Sequence, residues 1–154
     1  MIFLREAKDS DLELIRAWRS SPLVYQGFVT QKEPLTYMEH HNWWNSRKQL
    51  NWREFIIVLQ EDELLRDMGV VTIGQLEHWS PEIGYFIGNP ADWNKGYGKQ
   101  AVWCALDWLR RHGYKYTHTT VKTDNQRSIK LLESLGFEYL GKAREGEVWY
   151  QKSL

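Results

Sequence analysis

Residues 82–122 limit the fold more than any other stretch of the chain. Glu82 to Gly88 (EIGYFIG) has the apolar, aromatic and β-branched content of a strand. After Asn89-Pro90 and a glycine-bearing loop, apolar residues fall at Ala101, Val102, Ala105, Leu106 and Leu109. That spacing marks one face of a helix running from Gly98 to about His112, with Gly113 suited to its C-cap. Thr117 to Lys122 is then a β-branched strand. A strand, a crossover helix and a second strand in one sheet connect right-handedly, and this makes the two strands parallel.

The flanks add short elements of both kinds. Ile2 to Arg5 reads as a first strand. Asp9-Ser10-Asp11 offers N-caps for a helix carrying Leu12, Ile15 and Trp18 or Arg19, and Ser20-Ser21-Pro22 ends it. Thr36-x-x-Glu39 has the form of a capping box, opening a second helix with Met38, His41, Trp43 and Trp44. Glu54 to Gln60 and Met68 to Glu77 read as strands around a turn at Glu61-Asp62-Glu63. Asn125 precedes a helix with Ile129, Leu131, Leu132 and Leu135, ended by Gly136. Phe137 to Lys142 and Val148 to Lys152 form a last hairpin around Arg144 to Glu147. The order β-α-α-β-β-β-α-β-α-β-β predicts a mixed α/β (α+β) fold, largely antiparallel outside the central unit. With 154 residues, no repeats and no linker-like stretch, the expectation is one domain over 1–154.

Charge and cysteine content narrow the function. Twenty basic and 20 acidic residues balance, which argues against a nucleic-acid partner. One cysteine, Cys104, excludes an internal disulfide framework and fits a buried thiol in a reducing compartment. No apolar run approaches a membrane span and no signal-peptide pattern opens the chain, so a cytoplasmic, soluble protein, monomer or homodimer, is expected. The five histidines show no metal-ligand spacing, so no metal is expected. Nine tryptophans suggest a pocket or groove walled by indoles.

The loop Trp93-Asn94-Lys95-Gly96-Tyr97-Gly98-Lys99-Gln100-Ala101 carries the chemical signal. Glycines before a helix N-terminus let unpaired amides approach an anion closely, and phosphate suits such a site. The spacing also satisfies G-x-G-x-x-A, but a dinucleotide fingerprint needs the strand to run almost directly into the first glycine. Here Asn89 to Lys95 intervene, and too little chain follows to hold a second nucleotide.

The loop resembles the acetyl-CoA loop [QR]-x-x-G-x-[GA] of the GNAT superfamily of N-acetyltransferases, with Trp93 in the place of Gln or Arg. That replacement is familiar in the branch of the ribosomal-protein acetyltransferases RimJ and RimL. Asn125-Gln126-Arg127-Ser128, followed by Ile129 through Phe137, is similar to the family's N-x-x-S-I-x-L-x-E-x-x-G-F segment. Ala17-Trp18-Arg19 and His41-x-x-Trp44 also resemble this branch.

The resemblance implies the GNAT fold, with helices on both faces of the sheet, and acetyl-CoA as co-substrate. Backbone amides of Asn94, Lys95, Gly96, Tyr97, Gly98 and Lys99 would hold the pyrophosphate, and Lys95 and Lys99 would add charge. Phe86, Ile87 and Gly88 would pair with the pantetheine arm like an added strand, and Asn125 would bond that arm or the strand end. The reaction would be attack of a primary amine on the thioester. It needs a proton acceptor, an oxyanion donor near Ile87 or Gly88, and an acid for the thiolate.

The tyrosine that many relatives use as the acid corresponds here to Leu132, which leaves Ser128 as the substitute. Glu82 is the first candidate base, with Glu77, His78, His118 and His41 behind it. The acceptor should lie between residues 18 and 52, against Trp18, His41 and Trp44, with Tyr25, Phe28, Tyr37, His40 and Trp43 nearby and His78 across the cleft. A small-molecule amine, such as an amino sugar linked to a nucleotide, is the expected acceptor. A protein N-terminus, or a non-catalytic acyl-CoA-binding module, is the alternative.

Overall fold

The computed structural model describes residues 1–28, 30–47 and 51–154. Its strands are β1 (Ile2–Glu6), β2 (Arg53–Glu61), β3 (Leu64–Gly74), β4 (Glu82–Ile87), β5 (Tyr116–Lys122), β6 (Glu138–Lys142) and β7 (Glu147–Ser153). Its helices are α1 (Leu12–Arg19), α2 (Pro22–Tyr25), α3 (Tyr37–Arg47), α4 (Tyr97–Arg111) and α5 (Gln126–Ser134). The strands form one sheet in the order β1-β2-β3-β4-β5-β7-β6. Every pairing is antiparallel except β4–β5, the parallel pair that α4 bridges.

Side chains alternate across each strand, so the sheet has two apolar faces. Phe55, Ile57, Val71, Ile73, Ile83, Val121 and Val148 meet the stripe Ala101, Val102, Ala105, Leu106 and Leu109 of α4. Leu106 and Leu109 are essentially removed from water, worth ~2–3 kcal/mol each by area bookkeeping. On the opposite face Ile56, Val58 and Val70 pack on Ile15, with Trp18 and Phe86 beside them. Helices therefore cover both faces.

Local rules explain most boundaries. The Thr36–Glu39 capping box forms, Glu39 N donating to Thr36 Oγ1 at 3.2 Å and Thr36 N to Glu39 Oε2 at 3.0 Å. Pro22 does more than end α1: it opens the short α2 at the first helical position, where a missing N–H removes no helical bond. β3 starts at Leu64 instead of Met68, because the β2 hairpin pairs outward to Glu61↔Leu64. It stops at Gly74 instead of Glu77, because Gln75 turns left-handed (φ 55°) and Leu76 N bonds Asn51 O.

Candidate active site

The parallel pair is joined only at its start. Among the described residues one registered pair, Glu82↔His118, links β4 to β5. Around it His118 N donates to Pro81 O (3.1 Å), Thr117 Oγ1 to Pro81 O (2.8 Å) and Thr119 Oγ1 to Ile83 O (2.7 Å). β5 meanwhile stays paired with β7 from Tyr116↔Ser153 to Lys122↔Glu147. Past Ile83 the two parallel strands diverge. A cavity of about 690 Å³ fills the gap and runs from the start of α4 to α1 and α3.

At the α4 end, Gly96 caps the helix with φ 83°, a left-handed conformation that a side chain would strain. A helix leaves its first amides without intrahelical partners, and its N-terminus carries positive partial charge. Asn94, Gly96, Tyr97, Gly98 and Lys99 line the cavity there. A Cβ on Gly98 would stand 3.3 Å from Leu131 Cδ1 and 3.7 Å from Tyr85, so the glycine keeps open a space that suits a phosphate-bearing arm. Lys95 is not among the lining residues; it faces Asp92 at 3.8 Å, a buried carboxylate also held by Arg66 at 2.8 Å. Trp93, which stands where relatives have Gln or Arg, donates from Nε1 to Ile87 O (3.0 Å), and the Arg127 guanidinium lies 3.8 Å above its ring. The indole thus ties the loop to β4.

Phe86 and Ile87 line the cavity, but Gly88 does not. A Cβ on Gly88 would come 2.3 Å from Trp18 Cγ, and its N–H already donates to Met68 O at 2.8 Å. Gly88 N is therefore not free to serve as an oxyanion donor.

Asn125 caps α5, its side chain accepting from Ser128 N at 3.2 Å. Ser128 Oγ lies 2.6 Å from Tyr85 Oη, and both residues line the cavity. Burial raises the Tyr85 pKa, while the Ser128 hydrogen bond opposes the rise. Leu132 is packed in the core and carries no hydroxyl, whereas the Tyr85–Ser128 hydroxyl pair lines the cavity beside α5. The register that sets Tyr85 beside α5 is tertiary and has no signature in the sequence.

At the far end the lining includes Arg19, Trp43, Arg47, Glu54, Thr72, Glu82 and Gly84. The guanidiniums of Arg19 and Arg47 lie 5.1 and 5.2 Å from the Trp43 ring, and Arg47 is also 3.6 Å over Trp52. Burial lowers both guanidinium pKa values, against the attraction of Glu54. Burial pushes the Glu54 carboxyl up to about 7, opposed by the Thr72 hydroxyl (2.8 Å) and by both arginines. Glu82 receives Gln75 Nε2 at 3.3 Å and stands 3.6 Å from His118 Nε2, whose Nδ1 meets Ser80 Oγ at 3.2 Å.

The four acceptor residues expected from sequence sit elsewhere. Trp18 packs edge-on to Phe86 and over Gly88. Trp44 is buried and donates to Asp9 Oδ1 at 2.7 Å. His41 stacks on Tyr37 at 3.8 Å and meets Glu13 at 3.6 Å. His78 accepts from Ser80 N at 3.2 Å and touches Trp79. None of the four is among the cavity's lining residues, whereas Trp43, next to Trp44, is. The helical turn sends neighbouring side chains in different directions, and α3 spends Trp44 on the core. Positions 29 and 48–50 of the expected acceptor region lie outside the described residues.

A splayed parallel pair with a glycine-capped helix at one end and a mixed cationic and acidic wall at the other defines a class: the acetyltransferases. Residues 2–138 match the model described as an acetyltransferase (GNAT) domain, and the chain belongs to that family. An uncharacterized protein of Methanocaldococcus jannaschii is 46% identical over 153 residues, 99% of this chain but 31% of that protein's length. The chain thus spans about a third of that curated relative. The crystal structure of a domain from the same organism superposes with TM-score 0.96 at 45% identity, over 100% of this chain and 99% of the other. A spermidine N-acetyltransferase from Vibrio cholerae, in complex with CoA and spermine, shares the fold at TM-score 0.82 and 19% identity, over 99% and 94% of the two chains.

Proposed function

We propose that the chain transfers an acetyl group from acetyl-CoA to a primary amine of a small anionic molecule, such as an amino sugar linked to a nucleotide. The observation that carries this is one continuous cavity, open between β4 and β5, joining the α4 N-terminus to Arg19, Trp43 and Arg47. Acetyl-CoA supplies the activated acyl group. The α4 amides and Lys99 receive its pyrophosphate, and the inner edges of β4 and β5 flank its pantetheine arm. Tyr85 and Ser128 offer a proton to the departing thiolate, which also leaves readily without help because thiols ionise near pH ~8.5.

The acceptor side favours an anion. Two guanidiniums flank one indole, and neither has an ion-pair partner within reach among the described residues. These guanidiniums suit phosphate groups beside a stacking base, while Glu54 and Glu82 in the same lining suit the amine. A RimJ/RimL-like enzyme acting on a protein N-terminus is the second reading, supported by the resemblance of Ala17-Trp18-Arg19, whereas His41-x-x-Trp44 resembles both this branch and the subgroup acting on nucleotide-linked amino sugars. The half-buried Cys104, whose pKa burial raises, fits a reducing cytoplasm.

The test joins calorimetry to a thiol-release assay. Acetyl-CoA should bind the wild type, and Gly98→Glu, which puts a carboxylate in the phosphate cradle, should weaken binding about 100-fold or more without unfolding the chain. Unchanged affinity would remove the loop assignment. Nucleotide-linked amino sugars should release thiol faster than free amino sugars or N-terminal peptides. A peptide preference would select the second reading, and binding without turnover on any amine would leave a module.

A further inference from the structure

The sheet face opposite α4 presents a row of three residues that nothing in the sequence brings together. The registers Glu54↔Thr72 and Thr72↔Gly84 set them side by side on β2, β3 and β4. Adjacent strands lie ~4.8 Å apart, so Thr72 stands midway over a span of ~10 Å. Gly84 is the first β4 residue beyond Ile83, whose carbonyl takes the last bond from β5. Having no side chain, it leaves the floor open beside the gap, and a Cβ there would touch only Thr72, at 4.0 Å. Thr72 Oγ1 donates to Glu54 Oε2 at 2.8 Å. Glu54 is 9% exposed, and its Oε1 is buried without a hydrogen-bond partner among the described residues. All three residues line the cavity. Arg19 from α1 and Arg47 from α3 are the charged groups that act on Glu54 from the helices packed against it.

From this juxtaposition we infer that the acceptor ammonium sits over Gly84 and loses its proton through the Thr72 hydroxyl to Glu54. The inference rests on the acetyl-transfer reading above. Thr72 Oγ1 takes a proton from the ammonium and passes its own to Glu54 Oε2. The nitrogen lone pair then forms the N–C bond to the thioester carbon. As the tetrahedral adduct collapses, the C–S bond breaks, its electron pair leaves on sulfur, and the second nitrogen proton goes to that thiolate. Glu54 afterwards returns its proton to solvent. Glu82 lies on the same face two residues earlier, where β4 and β5 are still paired, and is engaged by Gln75 and His118. It too lines the cavity, but before the point where the two strands part.

The experiment compares Glu54→Gln, Thr72→Val, Thr72→Ser and Glu82→Gln in thiol release from pH 5.5 to 9, with acetyl-CoA affinity measured on each. Glu54→Gln and Thr72→Val should each lower kcat about 100-fold or more and abolish the acid limb of the kcat/KM profile. Thr72→Ser should restore both, and acetyl-CoA affinity should stay within about twofold throughout. Thr72→Val is nearly isosteric, so it keeps the test decisive if Glu54→Gln folds poorly. A wild-type profile in Glu54→Gln and Thr72→Val, or loss of the acid limb in Glu82→Gln alone, overturns the relay and leaves the acetyltransferase reading intact. A wild type that binds acetyl-CoA but turns over no amine sinks both.

Discussion

Replacing Glu54 by glutamine should stabilise the fold at neutral and alkaline pH and leave it unchanged in acid. The Glu54 carboxyl has an ordinary pKa of 4.5 and one of about 7 in the folded chain, because burial penalises its charge more than Thr72, Arg47 and Arg19 relieve it. Below pH 4.5 the group is protonated in both states and adds no pH dependence. Between 4.5 and 7 the folded state binds more protons than the unfolded, so wild-type stability falls as pH rises. Above 7 the full cost is present, on the order of 3 kcal/mol from 2.303RT times the pKa difference. Glutamine has no charge to bury and can still accept from Thr72. Urea melts of both proteins at pH 5, 6, 7 and 8 should start close together and separate by ~3 kcal/mol, roughly 6–12 °C in Tm for a domain of this size. Parallel curves across that range would refute the reasoning, since they would mean that Glu54 is solvated or fully paired. A group retained at such a cost is the kind found in active sites, where function is kept at the expense of stability.

Two further outcomes test the surrounding geometry. Gly88→Ala would push a methyl into the Trp18 ring, 2.3 Å from Cγ, and should destabilise the chain by about 1–3 kcal/mol in thermal melts; an unchanged Tm would deny that contact. Tyr85→Phe removes the hydroxyl at 2.6 Å from Ser128 and should lower kcat about 10-fold while the acetyl-CoA KM stays put. The modest size follows from the ease with which a thiolate leaves, and an unaltered kcat would remove Tyr85 from the chemistry.

The elements that repeat a local rule were legible in the sequence. The α4 stripe, the Asn125 cap and the Thr36–Glu39 box each state their structure within a few residues, and all three form as expected. The α4 end of the cavity was partly legible for the same reason, since Gly96 and Asn125 stand at helix caps. The end lined by Glu54, Arg19 and Arg47 was not. Glu54 looks like the solvated first residue of an apolar strand, and only the register with Thr72 shows that it is buried and bonded. Arg19 and Arg47 look like ordinary charges ending amphipathic helices until α1 and α3 meet across Trp43. The tryptophan count pointed to indoles in the wall, and Trp43 and Trp93 are among the lining residues. It could not say which, because Trp43 and Trp44 differ by one helical step of rotation.

The divergence of β4 from β5 also bears on how the protein behaves among other proteins. Unpaired strand edges on a surface recruit further strands, and chains with such edges tend to associate. Here, among the described residues, the strand edges that part beyond Ile83 face each other across the cavity, with residues of α1, α3 and α4 lining it and Trp93 bonded to the Ile87 carbonyl. The sheet thus keeps its gap in the interior, between β4 and β5, and not at the rim formed by β1 and β6.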